Sequence, residues 1–226
     1  MRIRWHVLLL TAPLLVLSGA ADPTRFANPP QPPRFTPPES GVLFAENFSG
    51  DLSRWQTDQT KVWSIWHGML RADLPDLKQQ RSLIYAGDES WADYAVDVDV
   101  CMMRGVDKGV IVRAQGTTGV GVDLRGGTYQ DVVMYLREWP LGKSAVVNAN
   151  GTWNHIRVEV RGSRYTVTVN GELKIVRTDQ RRPQGRIALP AYTGGVAQCT
   201  VYYDNVIVTA LASVEHELTS APEHPE

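Results

Sequence analysis

The stretch WNHIRVEVRGSRYTVTVNGELKIVR, residues 153–177, shows most plainly how this chain folds. Apolar and polar residues alternate through Ile156–Val160 and again through Tyr165–Val169, which is the period-two pattern of β-strands with one buried face. Gly162 and Ser163 separate the two runs, and the pair Asn170-Gly171 supplies the positive φ angles of a two-residue turn. The stretch therefore predicts three consecutive antiparallel strands.

The same signals recur along the rest of the globular part. Short runs rich in Val, Ile, Tyr and Trp are separated by Gly, Pro, Asn and Asp, and no stretch keeps a helical period. Strands this short must stack in two layers to bury their apolar faces, so the sequence predicts an all-β sandwich or barrel. The predicted strands are 42–46, 61–66, 69–73, 82–86, 94–103, 109–114, 119–125, 131–137, 144–148, 154–161, 164–170, 172–177, 185–189 and 199–209.

The two ends of the chain differ from this pattern. Residues 1–21 have a basic start, an apolar run and small residues at their end, which indicates a secretory signal peptide and a secreted or periplasmic protein. Residues 22–40 are rich in Pro, which favours extended polyproline conformation, and we expect a disordered linker that binds nothing. The globular domain is predicted at 41–210, and the polar residues 211–226 are expected to form a flexible tail.

Size and charge narrow the function classes. A length of 226 residues with 43% hydrophobic content is enough for one sizeable core. The chain has 23 basic and 24 acidic residues, so its net charge is −1 and no basic footprint for nucleic acid exists. The apolar run of the signal peptide is short and contains Pro13, so no stable membrane span is expected after cleavage.

The two cysteines, Cys101 and Cys199, both fall on predicted strands. An antiparallel register that pairs them also pairs Asp93 with Ile207, and export would place the thiols where disulfides persist. The sequence therefore predicts a cross-strand disulfide. Two separate buried thiols are the alternative, because unpaired cysteines are common core residues.

Several segments together resemble the concanavalin A-like lectin/glucanase superfamily, in particular its secreted keto-glycoside hydrolase-like and laminin G-like domains. The resemblance covers about 42–209 and implies a jelly-roll sandwich of two sheets, with sugar held on a concave front sheet. It also implies that the first and last main strands are neighbours. The segments are LFAENFSGDLSRW, WSIWHGML, DYAVDVDVCMM, KGVIVRA, the hairpin from Trp153 and the closing VYYDNVIV.

The candidate ligand-binding face lies on the strands between 108 and 143. Alternation puts their Val, Leu and Met residues on the core face and gathers arginines, a carboxylate and aromatic rings on the other. Such a face suits sugar, because planar donors and acceptors bind hydroxyl groups and aromatic rings stack on pyranoses. An ordinary solvated face with an Arg113–Asp123 salt bridge is the alternative. The candidate residues are Arg113, Asp123, Arg125, Tyr129, Tyr135, Arg137 and Trp139.

Three functions remain open at this point. The first is a carbohydrate-binding domain that recognises an oligo- or polysaccharide. The second is a glycoside hydrolase of the keto-glycoside hydrolase-like type, with Asp123, Asp131 or Glu138 as acid or base, although no carboxylate pair is evident. The third is a laminin G-like interaction domain that binds a protein partner through its arginines. Asp97 and Asp99 lack the third acid of the glucanase motif and are interpreted as solvated strand residues.

No cofactor is expected. His67 and His155 have no spacing with Cys, Asp or Glu that a zinc site requires, and no Gly-x-Ser-x-Gly or phosphate-binding glycine motif occurs. A structural calcium ion is the one exception considered, since related sandwiches carry one. Its candidate oxygen ligands are Glu46, Asp51 and Asp204, which fall at predicted strand ends.

Overall fold

The computed structural model describes residues 23–34, 36, 40–136 and 139–212. Within these residues, two antiparallel sheets pack face to face, which confirms the predicted all-β sandwich. Two short 3-10 helices, Pro23–Phe26 and Gly194–Val196, are also present. The strands are β1 (Val42–Glu46), β2 (Gln56–Thr57), β3 (Trp63–Trp66), β4 (Met69–Asp73), β5 (Arg81–Ala86), β6 (Tyr94–Arg104), β7 (Asp107–Gln115), β8 (Thr118–Arg125), β9 (Asp131–Leu136), β10 (Trp139–Ala145), β11 (Trp153–Arg161), β12 (Arg164–Val169), β13 (Glu172–Thr178), β14 (Arg186–Tyr192) and β15 (Thr200–Ala210).

The back sheet has the strand order β13-β12-β11-β6-β15-β4-β3, and β1 pairs with the other end of β15. Its first three strands are the hairpins predicted from 153–177. Asn170 and Gly171 have φ angles of 51° and 81°, as a tight turn between β12 and β13 requires. The early strand β6 and the last strand β15 are neighbours, as the resemblance implied.

The front sheet has the strand order β10-β9-β8-β7-β14-β5-β2. The predicted strand 144–148 is wrong in its start, because β10 begins at Trp139 and contains Pro140. Proline has no amide hydrogen to donate, so it is tolerated on an edge strand, and β10 forms the edge of the front sheet.

The core lies between the two sheets and is built by the alternating apolar positions of both. Val110, Val122 and Met134 from the front sheet are fully buried against residues such as Val98 and Val158 from the back sheet. Complete burial of one such aliphatic side chain is worth about 1.5–3 kcal/mol. The polar residues between these positions are thereby directed to the outer faces of the sandwich.

The predicted disulfide is wrong, because Cys101 and Cys199 are both free and buried. Cys199 directly precedes β15, the neighbour of β6, but β15 is displaced so that Ile207 pairs with Asp97 and not with Asp93. Cys199 belongs to the core, whereas Cys101 packs in a separate cluster on the outer face of the back sheet. The alternative of two buried thiols therefore holds, and burial raises the pKa of Cys101 to about 11.

Residues 23–34, which we call the strap, differ from the free linker that was predicted for this region. The strap lies on the outer face of the back sheet, where the Trp153 indole donates to the carbonyl of Pro30 at 2.5 Å. The amide of Asn205 donates to the carbonyl of Pro33 at 2.8 Å. The predicted signal peptide and the tail from residue 213 lie outside the described residues.

A charged cluster occupies the same outer face beside the strap. Asp97 and Asp99 are buried, so their interpretation as solvated residues is wrong. The two ring nitrogens of His155 lie 3.0 and 2.8 Å from these carboxylates, and the hydrogen bonds to Asp97 and Asp99 raise the pKa of His155 to about 9. His155 is therefore a cation at neutral pH that offsets part of the negative charge of Asp97 and Asp99.

None of the helices in the described part of the chain has the length and apolar character needed to cross a membrane.

Candidate functional site

The candidate site lies on the outer face of the front sheet, where neighbouring strands bring polar side chains together. Asp107 on β7 pairs with Arg125 on β8, and Asp123 lies two residues further along β8, opposite Gly109. Asp107 and Asp123 are therefore diagonal neighbours on adjacent strands, a relation that places backbones about 7–8 Å apart and side chains closer. Tyr135 on β9 extends the same face, opposite Gly121.

Asp107, Asp123 and Tyr135 line a pocket of roughly 230 Å³. The floor crosses five adjacent strands, since β14 and β5 add residues on the far side of β7. Tyr192 and Arg81 are directly paired across those two strands. The complete lining is Arg81, Asp107, Asp123, Tyr135, Pro190 and Tyr192.

A second cavity of roughly 530 Å³ continues from this pocket toward the loops. It shares Asp107, Asp123, Tyr135 and Tyr192 with the pocket, so the two form one depression, which we call the groove. The volumes are in the range of sites that bind small molecules. The additional lining residues are Gln79, Arg125, Tyr129, Val133, Pro140, Gly194 and Gly195.

A glycine fixes the position of the main aromatic ring in the groove. A Cβ atom at Gly121 would lie 2.3 Å from Cζ and 2.5 Å from the hydroxyl oxygen of Tyr135. The ring of Tyr135 therefore lies across strand β8, above a residue without a side chain. In this position the Tyr135 hydroxyl donates a hydrogen bond to the carboxylate of Asp123.

The carboxyl groups of the groove are electrostatically coupled. Burial and, to a lesser degree, the charge of Asp107 raise the pKa of Asp123, the hydrogen bond from Tyr135 opposes both effects, and the resulting pKa is about 7. Burial also raises the pKa of Asp107. The Oδ1 atom of Asp123 is buried and has no hydrogen-bond partner among the described residues. An acid that is half-protonated near neutral pH, with a free oxygen, suits hydrogen bonding to a ligand hydroxyl.

We expect Asp123 to make folding stability depend on pH. Its folded-state pKa lies above the ordinary value of 3.8, so the folded chain holds more protons than the unfolded chain between about pH 4 and pH 7. The contribution of Asp123 to the free energy of unfolding therefore falls as pH rises through this window and is constant above it. Urea denaturation at a series of pH values measures this effect. As pH rises from 4 to 7, the free energy of unfolding of the Asp123→Asn variant should increase relative to that of the wild type.

The control for this measurement is Asp51→Asn. Asp51 is exposed, and its hydrogen bonds with Ser53 lower its pKa, so any contribution it makes is lost only as pH falls below about 4. This variant should keep a constant difference from the wild type between pH 4 and pH 7. An Asp123→Asn curve parallel to that of the wild type across the window would contradict the raised pKa.

Arg125 and Tyr129 form the outer wall of the groove. The Arg125 guanidinium makes a two-point ion pair with Asp131, at 2.7 and 2.8 Å, and lies 4.4 Å from the centroid of the Tyr129 ring. Lys143 contacts the same carboxylate at 2.9 Å. Burial alone would raise the pKa of Asp131, but the hydrogen bonds from Arg125 and Lys143 hold it below its ordinary value. Asp131 is therefore an anchor for Arg125 and a poor proton donor.

Arg113 does not lie on the ligand-binding face, and its predicted role there is wrong. The ladder between β7 and β8 is irregular between Val112 and Gln115, and Arg113 has a φ angle of 49°. This bulge turns the side chain away from Asp123, so the alternative of a salt bridge between them is wrong as well. Arg113 is buried and donates to the backbone carbonyls of Ala92, Gly162 and Arg182 at 2.7–3.1 Å.

Of the remaining predicted residues, Trp139 lies at the edge of the site. Trp139 begins β10 opposite Leu136 and is 68% exposed, outside the lining of the groove. Its neighbour Pro140 lines the groove instead. Arg137 and Glu138 lie outside the described residues. The structure thus brings together Asp123, Arg125, Tyr129 and Tyr135 from the predicted set.

Sequence reasoning missed several groove residues. Asp107 precedes the strand predicted at 109–114, yet in the structure β7 begins at Asp107 itself. Arg81 and Tyr192 come from β5 and β14, which are distant from β7 in sequence and come close to it only through the sheet order β7-β14-β5. For Asp107, the alternation of the strand extended by two residues would have placed it on the same face as Gly109.

Each residue considered for calcium accepts a backbone amide close to it in the chain. The carboxylates of Glu46 and Asp51 accept the backbone amides of Phe48 and Ser53, both at 2.9 Å. Asp204 accepts the amide of Asn205 at 2.7 Å, and burial raises its pKa to about 6. In the chain as far as it is described, no group of three or more His, Cys, Asp or Glu side chains is arranged to hold a metal ion.

Sequence comparison matches residues 41–209 to a family model described as 3-keto-alpha-glucoside-1,2-lyase-like domain. A similar protein is the extracellular exo-alpha-L-arabinofuranosidase of Streptomyces chartreusis, which is 26% identical over 155 residues. The match covers 62% of this chain and 17% of that protein, so the chain corresponds to a small part of its length.

Two solved structures with a similar fold bind sugars according to their names. One is the carbohydrate-binding module CBM66 from Bacillus subtilis, with a TM-score of 0.60 and 15% identity, covering 70% of this chain and 96% of the module. The other is the exoplasmic/lumenal domain of VIP36 in its Ca2+/Man3GlcNAc-bound form, with a TM-score of 0.58 and 14% identity, covering 78% and 92%. At these identities the similarity establishes the sandwich fold.

Proposed function

Because the chain belongs to the family of 3-keto-alpha-glucoside-1,2-lyase-like domains, we propose that it binds carbohydrate in the groove of the front sheet. The observation that carries this proposal is the composition of the groove. Aromatic rings of Tyr135, Tyr192 and Tyr129 stand beside the carboxyl groups of Asp107 and Asp123. Rings stack on the apolar faces of sugars, and carboxyl groups bind their hydroxyls. The similar folds of a carbohydrate-binding module and a lectin support the same function.

Calorimetric titration of the protein with a panel of disaccharides, their 3-keto forms and oligosaccharides tests this proposal. We expect at least one sugar to bind, and Gly121→Ala to weaken its binding about tenfold, because the added methyl group displaces the Tyr135 ring and its hydrogen bond. Gly50→Ala is the matched control, since a Cβ there meets nothing within 4 Å. If no sugar in the panel binds, or if Gly121→Ala binds as the wild type does, the groove is not the site.

Cleavage of a 3-keto glucoside is a second candidate function, and the carboxyl pair favours it. A keto group at C3 makes the hydrogen on C2 acidic. A carboxylate takes that proton, the C1–O bond breaks, and the departing alcohol receives a proton from an acid, which leaves a C1–C2 double bond in the sugar. Asp107 and Asp123 would supply one base and one acid, since the pKa of Asp123 is about 7.

The partner surface of a laminin G-like domain receives less support. Such a surface requires free arginines on the outer face of the front sheet. Arg113 is buried, however, and Arg125 is neutralised by Asp131. Export remains part of the proposal, because residues 1–21 have the pattern of a signal peptide and the similar arabinofuranosidase is named extracellular.

A further inference from the structure

The strap covers an apolar cluster on the outer face of the back sheet. Trp153, Cys101 and Tyr202 lie side by side on β11, β6 and β15, and Arg71 continues the row on β4. Cys101 and Tyr202 are fully buried although they lie on an outer face. The strap also lies outside the residues that match the family, 41–209, so membership of the family does not account for it.

The sequence of the strap dictates its conformation. Residues 28–33 read Asn-Pro-Pro-Gln-Pro-Pro, so each of them is a proline or precedes one. Proline fixes its own φ near −65° and pushes the preceding residue into the extended region. The segment is therefore restricted to polyproline II before it meets the sheet, and little conformational entropy is lost on docking.

The two backbone contacts of this segment with the back sheet are three residues apart, which is one turn of a polyproline II helix. That helix has three residues per turn, so the carbonyls of Pro30 and Pro33 point in one direction about 9 Å apart. They accept hydrogen bonds from Trp153 Nε1 and Asn205 Nδ2, at 2.5 and 2.8 Å. Trp66 Nε1 donates at 2.8 Å to the side-chain oxygen of Asn28.

Charged contacts fix the direction of the strap at its start. Arg25 donates to Asp73 at 3.1 Å, and its backbone carbonyl accepts from Arg71 at 2.9 Å. The Arg71 guanidinium lies between two rings, 5.6 Å from the centroid of Phe26 and 5.4 Å from that of Trp66. Aromatic side chains that donate to the carbonyls of a proline-rich segment are the usual means by which proteins recognise polyproline II peptides.

We infer that the outer face of the back sheet is a recognition surface for proline-rich peptides in the polyproline II conformation, and that the chain's own residues 28–33 occupy it. The surface consists of Trp66, Trp153, Tyr202 and Asn205. The partner that fits it in trans is the same segment of a second copy. A segment from a second copy must compete with the chain's own residues 28–33. These are tethered to the surface, and their effective concentration is in the millimolar range for a short connection.

The test uses a fluorescein-labelled peptide with the sequence of residues 28–34, Asn-Pro-Pro-Gln-Pro-Pro-Arg, and fluorescence anisotropy with the full-length chain. A variant with Pro29, Pro30, Pro32 and Pro33 all changed to Ala loses the preorganisation of its own strap. We expect the peptide to bind this four-proline variant at least about tenfold more tightly than the wild type, because the tethered competitor is weakened. A control peptide with Ala at the four proline positions should not bind.

Two further substitutions in the four-proline variant locate the binding surface. Trp153→Phe removes the donor to Pro30 and should abolish peptide binding, whereas Trp139→Phe, on the front sheet, should leave it unchanged. Asn205→Gly removes the donor to Pro33 and keeps the positive φ angle of 51°, so it serves if Trp153→Phe fails to fold. Absence of peptide binding to the four-proline variant overturns the inference. So does binding that survives both Trp153→Phe and Asn205→Gly.

Discussion

Replacing Arg113 by Met is expected to lower the free energy of unfolding by about 3–5 kcal/mol, which is the usual cost of removing one partner from a buried charged network. The Arg113 guanidinium is 1% exposed and joins β7 of the front sheet to loops at one end of the sandwich. Met fills a similar volume but cannot donate hydrogen bonds. The carbonyls of Ala92, Gly162 and Arg182 would then lose their shared donor.

Urea denaturation followed by tryptophan fluorescence measures this effect. Arg181→Met is the control, because Arg181 is an exposed arginine that pairs with Asp179 only two residues away, and its free energy of unfolding should stay close to that of the wild type. Arg113→Lys should also be strongly destabilised, since one ammonium group cannot reach three carbonyls at once. An Arg113→Met protein as stable as the wild type, with weakened sugar binding, would restore Arg113 to the ligand-binding face.

Changing Asp107 or Asp123 to Asn is expected to lower kcat/KM for cleavage of a 3-keto glucoside by about 10²–10⁴-fold, the usual contribution of a general acid or base. Asn keeps the shape of the side chain and can still bind a hydroxyl group, but it cannot exchange a proton. The loss should therefore appear mainly in kcat, while KM changes less. The pH dependence of kcat/KM for the wild type should show an inflection near pH 7, where Asp123 titrates. This inflection should be absent in Asp123→Asn.

Release of a chromophoric alcohol from a 3-keto glucoside measures the reaction. Asp88→Asn is the control, because Asp88 is exposed and its carboxylate pairs with Ser90 away from the groove. Turnover that survives both Asp107→Asn and Asp123→Asn would remove the pair from the chemistry. Sugar binding without any turnover by the wild type would favour the binding function alone.

Local patterns in the sequence predicted the architecture well. Alternation and turn residues located the hairpins between β11 and β13, because strand period and turn conformation depend on residues close in sequence. The same alternation placed Asp123 and Tyr135 on one face, and in the structure both residues line the groove. Alternation therefore assigns side chains to the correct face of a strand wherever the pairing with the neighbouring strand is regular.

Bulges account for the two clearest failures. Register shifts between Thr200 and Val201, and again between Asp204 and Ile207, change the pairing of β15 with β6, so a uniform register could not place the cysteines. The shift beyond Val112 turned Arg113 to the other side of its strand. A bulge adds one residue and so shifts the alternation of faces along the strand, and strict alternation along the sequence does not locate that shift.

The strap and the groove could not be predicted because both depend on contacts between distant parts of the chain. Arg81 joins Asp107 only through the order of β5, β14 and β7. The prolines of residues 28–33 favour an extended conformation, but the docking of this segment depends on Trp153, more than a hundred residues away. The amino-acid composition of such a segment indicates its conformation, but it does not indicate the surface on which the segment docks.

The position of the strap would set the orientation of a protein that is attached to a support through it. The strap leaves the sandwich from the back sheet, and the groove opens on the opposite side, so the two lie about one sandwich thickness apart. Immobilisation through the amino-terminal end of the strap would hold the back sheet toward the support. The groove would then face the solution and be accessible to a long polymer. A force that pulls on the attached protein would act on the strap contacts before it acts on the core.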